Sequence, residues 1–149
     1  MSQQHKYRLY HAANQTAPKT KQIVLIYDGV IRLLQQSKDA IREKRIEDRF
    51  KLLTRAADII TGLQCCLDFE KGGDVARVLQ QFYANIHGRI FSLHRSNDLT
   101  ECDAIISELK EMRDAWDEID RNTASGDVAA LPVDVSDTSS SSQTVTLTA

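Results

Sequence analysis

His87 and His94 are the first residues of this 149-residue chain whose type and spacing suggest chemistry. Seven residues apart in a helical stretch, they fall on roughly the same helix face. An imidazole pair placed so can serve phosphotransfer or bind a metal. Neither chemistry has its other parts. A di-metal carboxylate bundle needs repeated Glu-x-x-His pairs on facing helices, and the sequence has none. A phosphotransfer bundle typically places Lys and Gly just after its histidine. Here His87 is followed by Gly88-Arg89-Ile90 and His94 by Arg95-Ser96-Asn97. Cys65 and Cys66 are adjacent and Cys102 is far along the chain, so no CxxC pair exists. Such cysteines read as small hydrophobes of a reducing compartment. A Gly-rich phosphate loop and a GxSxG elbow are also absent. The expectation is a protein that is not an enzyme, with no cofactor and no metal.

The elements that carry these residues repeat their apolar positions at helical spacing. Ile23, Ile26, Val30, Leu33, Leu34 and Ile41 form a first stripe, with Pro18 suited to the first helical position. Ile46, Phe50, Leu53, Ala57, Ile60 and Leu67 form a second, broadened by Ala56, Ile59 and Leu63. Val75, Leu79, Phe82, Ile86, Ile90 and Leu93 form a third, and Cys102, Ile105, Leu109, Met112, Trp116 and Ile119 a fourth. Gly72-Gly73 is expected to separate the second and third blocks. Asn97-Asp98 is expected to turn the chain, with Asp98 capping the fourth block. Between the first and second blocks, around Glu43 to Ile46, only a change of phase marks the boundary. Short connections imply an all-α, antiparallel up-down four-helix bundle. Residues 1–17 read as an N-terminal segment, 18–121 as the bundle and 122–149 as a disordered tail. That tail holds six Ser, five Thr and three Asp without Lys or Arg, too few large apolar groups to offset the entropy of ordering it.

Charge removes further classes. The net charge of −2 hides a gradient, from five bases against one acid in residues 1–37 to three against nine in 98–121. A sequence pI of 6.1 is far from the basic footprint of a nucleic-acid-binding domain. Bases alternate with acids from Lys38 to Lys51, as on a solvated helix face. The longest apolar run, Ile23 to Tyr27, is far short of the ~20 residues that span a bilayer. The expectation is no nucleic acid and no membrane insertion.

Gly29 and Gly88 interrupt helical blocks, each costing ~1 kcal/mol relative to Ala. Small residues there admit close approach of another helix, either within the bundle or from a partner. Asp28, beside the apolar run, needs hydrogen bonds or water to be tolerated.

A resemblance unites these features. Ile26-Tyr27-Asp28-Gly29-Val30-Ile31 resembles the Leu-Tyr-Asp-Gly-Ala-Ile signature of the flagellin chaperone family, FliS. Upstream, Tyr10 with Thr16-Ala17-Pro18 is similar to that family's N-terminal tyrosine and helix start. Ala56-Ala57-Asp58-Ile59-Ile60 with Leu63, Leu67 and Asp68 matches its second run. Gly72-Gly73-Asp74-Val75-Ala76, followed by Leu79, Tyr83 and Arg89, is similar to its third. Asn97-Asp98 and Arg113-Asp114-Ala115-Trp116 complete the order. The likeness covers about residues 7 to 119. Leu93-His94 replaces a common Ala-Asn pair, and Asn85 stands where a second tyrosine often follows Tyr83.

The resemblance implies a bacterial cytosolic export chaperone that masks the C-terminal segment of flagellin before flagellar type III secretion. It implies a helical client in an apolar groove, without ATP, and a further partner in the flagellar export apparatus. The client-binding residues it points to are Tyr7, Tyr10, Ile26, Tyr27, Asp28, Gly29, Ile60, Leu63, Leu67, Leu79 and Tyr83. The N-terminal segment with Tyr7 and Tyr10 is expected as a lid over the empty groove. An adaptor bundle binding another amphipathic helix in a regulatory complex is the alternative reading.

Overall fold

A computed structural model describes residues 19–124, which form α1 (Lys19–Arg42), α2 (Ile46–Cys65), α3 (Phe69–Ser96) and α4 (Leu99–Ala124). The expected N-terminal segment, including Tyr7 and Tyr10, and the tail from residue 125 lie outside the described residues. The last helix runs to Ala124, three residues past the expected boundary at 121.

Every neighbouring pair of helices runs antiparallel. Thr20 at the start of α1 donates to Asp120 near the end of α4 at 2.6 Å, while Lys38 near the end of α1 pairs with Asp103. Phe50 near the start of α2 meets His94 near the end of α3. The helices thus form a ring in which α1 packs on α2 and α4, and α2 on α3. The α3–α4 interface is the smallest of the four. Side chains from all four helices meet at the centre, with Val24, Leu34, Leu53, Ile60, Ile86, Ile90, Ile105 and Leu109 wholly buried. Burying each contributes about 1.5–3 kcal/mol.

The connections show how this sequence stops a helix. After α1, Lys44 takes the left-handed region at φ 56°. Its N–H reaches Ile41 O, and the N–H of Arg45 reaches back to Ala40 O at 2.9 Å. This is a Schellman closure, satisfying carbonyls that the helix end would otherwise orphan. It is made by lysine, so no Gly or Pro marks it in the sequence. After α3, Asn97 adopts φ 52° and Asp98 Oδ1 accepts from Thr100 N and Glu101 N, as its position suggested.

The α2–α3 connection differs from expectation. The chain leaves α2 after Cys65, and Asp68 caps α3 by accepting from Glu70 N and Lys71 N at 2.9 and 3.0 Å. Gly72 and Gly73 fall one turn inside α3, where Gly73 breaks the helical path at φ 51°, ψ −125°. A strong aspartate cap therefore starts the helix before the glycines, and Gly73 supplies a kink. Ile46, Phe50 and Val75, expected on inward stripes, are exposed instead.

Candidate functional site

Val75, Val78 and Phe82 repeat at three- and four-residue spacing and share one flank of α3. Val75 and Val78 are 57% and 61% exposed, and Phe82 packs half-buried against the core. Seven residues beyond Phe82, the same flank carries Arg89. Its guanidinium donates to Glu101 at 2.5 Å and Glu108 at 2.7 Å, both on α4. The helical repeat carries that α4 stripe onward to Met112 and Ile119, which are partly buried against the core. Arg89 thus clamps α3 to α4 towards the Asn97–Asp98 turn. Past the clamp both flanks are apolar, forming a cleft at the end of the bundle where α1 begins and α4 finishes.

A polar node lies beneath the cleft. The Tyr27 hydroxyl donates to the Tyr83 hydroxyl at 2.7 Å across the core, with ring centroids 6.3 Å apart. Burial, then the neighbouring Tyr83, pushes the Tyr27 phenol far above its ordinary range. Burial pushes Tyr83 up to about 12, opposed by the hydrogen bond from Tyr27. Both phenols therefore stay protonated at neutral pH and act as a tether between α1 and α3. The Trp116 indole lies near enough to lower both pKa values, yet its buried Nε1 makes no well-formed hydrogen bond.

Asp28 has the partner its position demanded. Arg113 of α4 donates from Nε to Oδ1 at 2.9 Å and from Nη2 to Oδ2 at 3.4 Å. The fork holds α1 to α4 beside the tyrosine node. The acids of α4, read from sequence as a solvated face, are thus partly interhelical: Asp103, Asp117, Glu101 and Glu108 meet bases of α1 or α3.

The expected client-binding residues separate by depth. Tyr27, Ile60, Leu63, Leu79 and Tyr83 are buried in the core. Ile26 and Leu67 are partly buried against that core. Gly29 faces open space: a Cβ added there would meet nothing within 4 Å, and the same holds at Gly88. Neither glycine packs against another helix of the bundle. Of the residues that line the cleft, Val75, Phe82, Met112 and Ile119 belong to the expected stripes, and Val78 does not. Its signal in the sequence is an apolar side chain just off the stripe, beside Leu79.

Among the described residues, no group of three or more His, Cys, Asp or Glu is placed to hold a metal. No helix among them is long and apolar enough to cross a membrane. A shallow hollow between α1 and α2 is lined largely by charged chains, Asp39, Arg45, Asp48 and Lys51. Arg45 is already bound to Glu43 and Asp48, and Lys51 to Glu47.

The fold defines an antiparallel four-helix bundle that leaves large apolar side chains of α2 and α3 exposed. The profile of the flagellar protein FliS family matches residues 1–123, and the chain belongs to that family. A flagellar secretion chaperone of Vibrio cholerae is 34% identical over 99 residues, covering 66% of this chain and 73% of the relative. One from Pseudomonas aeruginosa, FliSB, is 32% identical over 97 residues, or 65% and 77%. A third, from Campylobacter jejuni, is 31% identical over 102 residues, or 68% and 80%.

Proposed function

We propose that this protein is a cytosolic, non-enzymatic export chaperone that holds the C-terminal segment of flagellin and prevents its premature polymerisation. The single observation that carries this reading is the apolar α3–α4 cleft, uncovered along Val75 and Val78, in a chain related to flagellar secretion chaperones. An amphipathic client helix laid there buries its own apolar face against Val75, Val78 and Phe82. Ile26, Asp28, Gly29 and Leu67 extend the contact around the bundle. Tyr27, Ile60, Leu63, Leu79 and Tyr83 act from beneath by fixing the shape of the docking face.

Residues 1–17 enter α1 at the same end of the bundle as the cleft. In this reading Tyr7 and Tyr10 cover the cleft until client displaces them. Ordering a disordered client costs about 2–5 kcal/mol of the gross interaction, which leaves a complex that the flagellar export apparatus can dismantle without ATP.

The test mixes the full chain with flagellin of its own organism, intact or lacking the C-terminal segment. Tight binding of intact flagellin alone supports the reading, and Val78→Asp should weaken it at least tenfold with helicity unchanged. Equal binding of both flagellins, or none, overturns it and favours an adaptor for a different amphipathic helix.

A further inference from the structure

His94 and Arg49 meet where the last turn of α3 lies against the first turns of α2. The His94 ring stands between two phenylalanines, 5.4 Å from Phe50 of α2 and 6.1 Å from Phe91, one turn earlier on α3. His94 Nδ1 and Arg49 Nε are both buried without a hydrogen-bond partner. Arg49 also reaches across the same junction, donating from Nη1 to Asn97 Oδ1. Asn97 is the left-handed residue that closes α3, its N–H bonded to Leu93 O at 3.1 Å. One arginine of α2 thus bears on both the His94 ring and the residue that ends α3.

The acids around this junction are engaged elsewhere. On α2, Glu47 is bound to Lys51 and Asp48 to Arg45. In the turn, Asp98 accepts from Thr100 N and Glu101 N, and on α4 Glu101 pairs with Arg89. Arg95 is the next residue along α3. Burial, then the charge of Arg49, holds the His94 pKa below its ordinary value of 6.5.

A neutral imidazole fits this junction in one form. With the proton on Nε2, the buried Nδ1 is a lone pair, which the Arg49 guanidinium attracts. With the proton on Nδ1, a buried N–H has no acceptor. An imidazolium has the same buried N–H and a full like charge besides.

We propose that His94 is an acid-sensitive catch between α2 and α3. Neutral, with its proton on Nε2, it stays packed between Phe50 and Phe91 and leaves Arg49 bound to Asn97. Protonated, it is repelled by Arg49 and turns out to water, and the first turns of α2 lose their hold on the end of α3. Because the folded chain favours the neutral form, this contribution to stability is complete above pH 6.5 and is lost as the pH falls through the folded-state midpoint. The α3–α4 cleft and its client play no part in this device.

The experiment titrates the full chain alone, labelled with nitrogen-15 at histidine, beside His94→Gln and Arg49→Gln. The expected His94 midpoint lies below 6.5, and the imidazole nitrogen shifts report the Nε2–H tautomer above it. Arg49→Gln should move that midpoint upward. Amide exchange at residues 50–53, corrected for its intrinsic pH dependence, should speed up about threefold or more as His94 becomes protonated, with no such change in the middle of α4. His94→Gln should remove that dependence. Circular dichroism checks that each variant keeps its helices, and the wild-type titration decides by itself where one does not. A midpoint at or above 6.5 overturns the proposal, since attraction between an imidazolium and the two rings then outweighs Arg49. Exchange at the start of α2 that ignores His94 protonation also overturns it, leaving His94 as a packing residue only.

Discussion

Gly29 and Gly88 each occupy a helix interior with open space where a side chain would project. Nothing in the bundle therefore requires glycine there, and each weakens its helix by roughly 0.5–1 kcal/mol relative to alanine. Gly29→Ala and Gly88→Ala should each raise stability by about that amount in urea unfolding. If Gly29 admits a client, as proposed, the same variant should bind flagellin more weakly while being more stable. The cysteines separate just as sharply. Cys65 and Cys66 are exposed, whereas Cys102 is buried with its thiol pointed at Leu34 O at 3.6 Å. Burial pushes the Cys102 thiol up to about 11, so at pH 8 almost none of it is thiolate. An alkylating reagent at pH 8 should modify two thiols in the folded protein by mass spectrometry. The third should react only once the chain is unfolded.

At the scale of elements, the bundle depends on how its helices stop and start. Lys44 holds a left-handed conformation that costs a non-glycine residue about 1–2 kcal/mol. Lys44→Gly should relieve part of that cost and raise the thermal midpoint. Asp68 carries the opposite weight. It is the side-chain cap of α3, and Asp68→Ala should cost about 1 kcal/mol, with early loss of protection in the turn before Gly73. Because α3 is already kinked at Gly73, that turn should fray without taking the rest of the helix with it. Equal loss of protection along all of α3 would show instead that the kink transmits order.

For the molecule as a whole, the proposed client work is apolar burial on a preformed bundle. Calorimetry of flagellin binding at several temperatures should give a clearly negative heat-capacity change. Raising the salt should change the affinity little, since apolar contacts are not screened while exposed charges are, beyond ~8 Å at physiological ionic strength. Steep salt dependence with a near-zero heat-capacity change would instead indicate docking on the charged face of α4. A chain lacking residues 125–149, which lie past the span matched by the family, should keep its helicity and its client affinity in circular dichroism and calorimetry.

Much of this architecture was legible in order. The 3.6-residue repeat identifies four helices, and Asn97-Asp98 announces its own turn and cap, because aspartate and asparagine favour those local geometries wherever they occur. The motif around Tyr27-Asp28-Gly29 pointed to the family. Local sequence does not say which neighbour reaches an apolar side chain. Ile46, Phe50 and Val75 fit their stripes yet stand exposed, because burial depends on which neighbours surround a position and not on its phase alone. The same limit applies to Asp28, whose partner Arg113 lies 85 residues away, and to the lysine-made turn at Lys44. The sequence by itself determined helix content, antiparallel order and family. Only the tertiary structure decided that Tyr27 and Tyr83 are a core tether, and that the open apolar surface lies on the α3–α4 and α2–α3 flanks. Periodicity records which face of each helix is apolar; the lengths and crossings of four helices together determine how much of that face water still reaches.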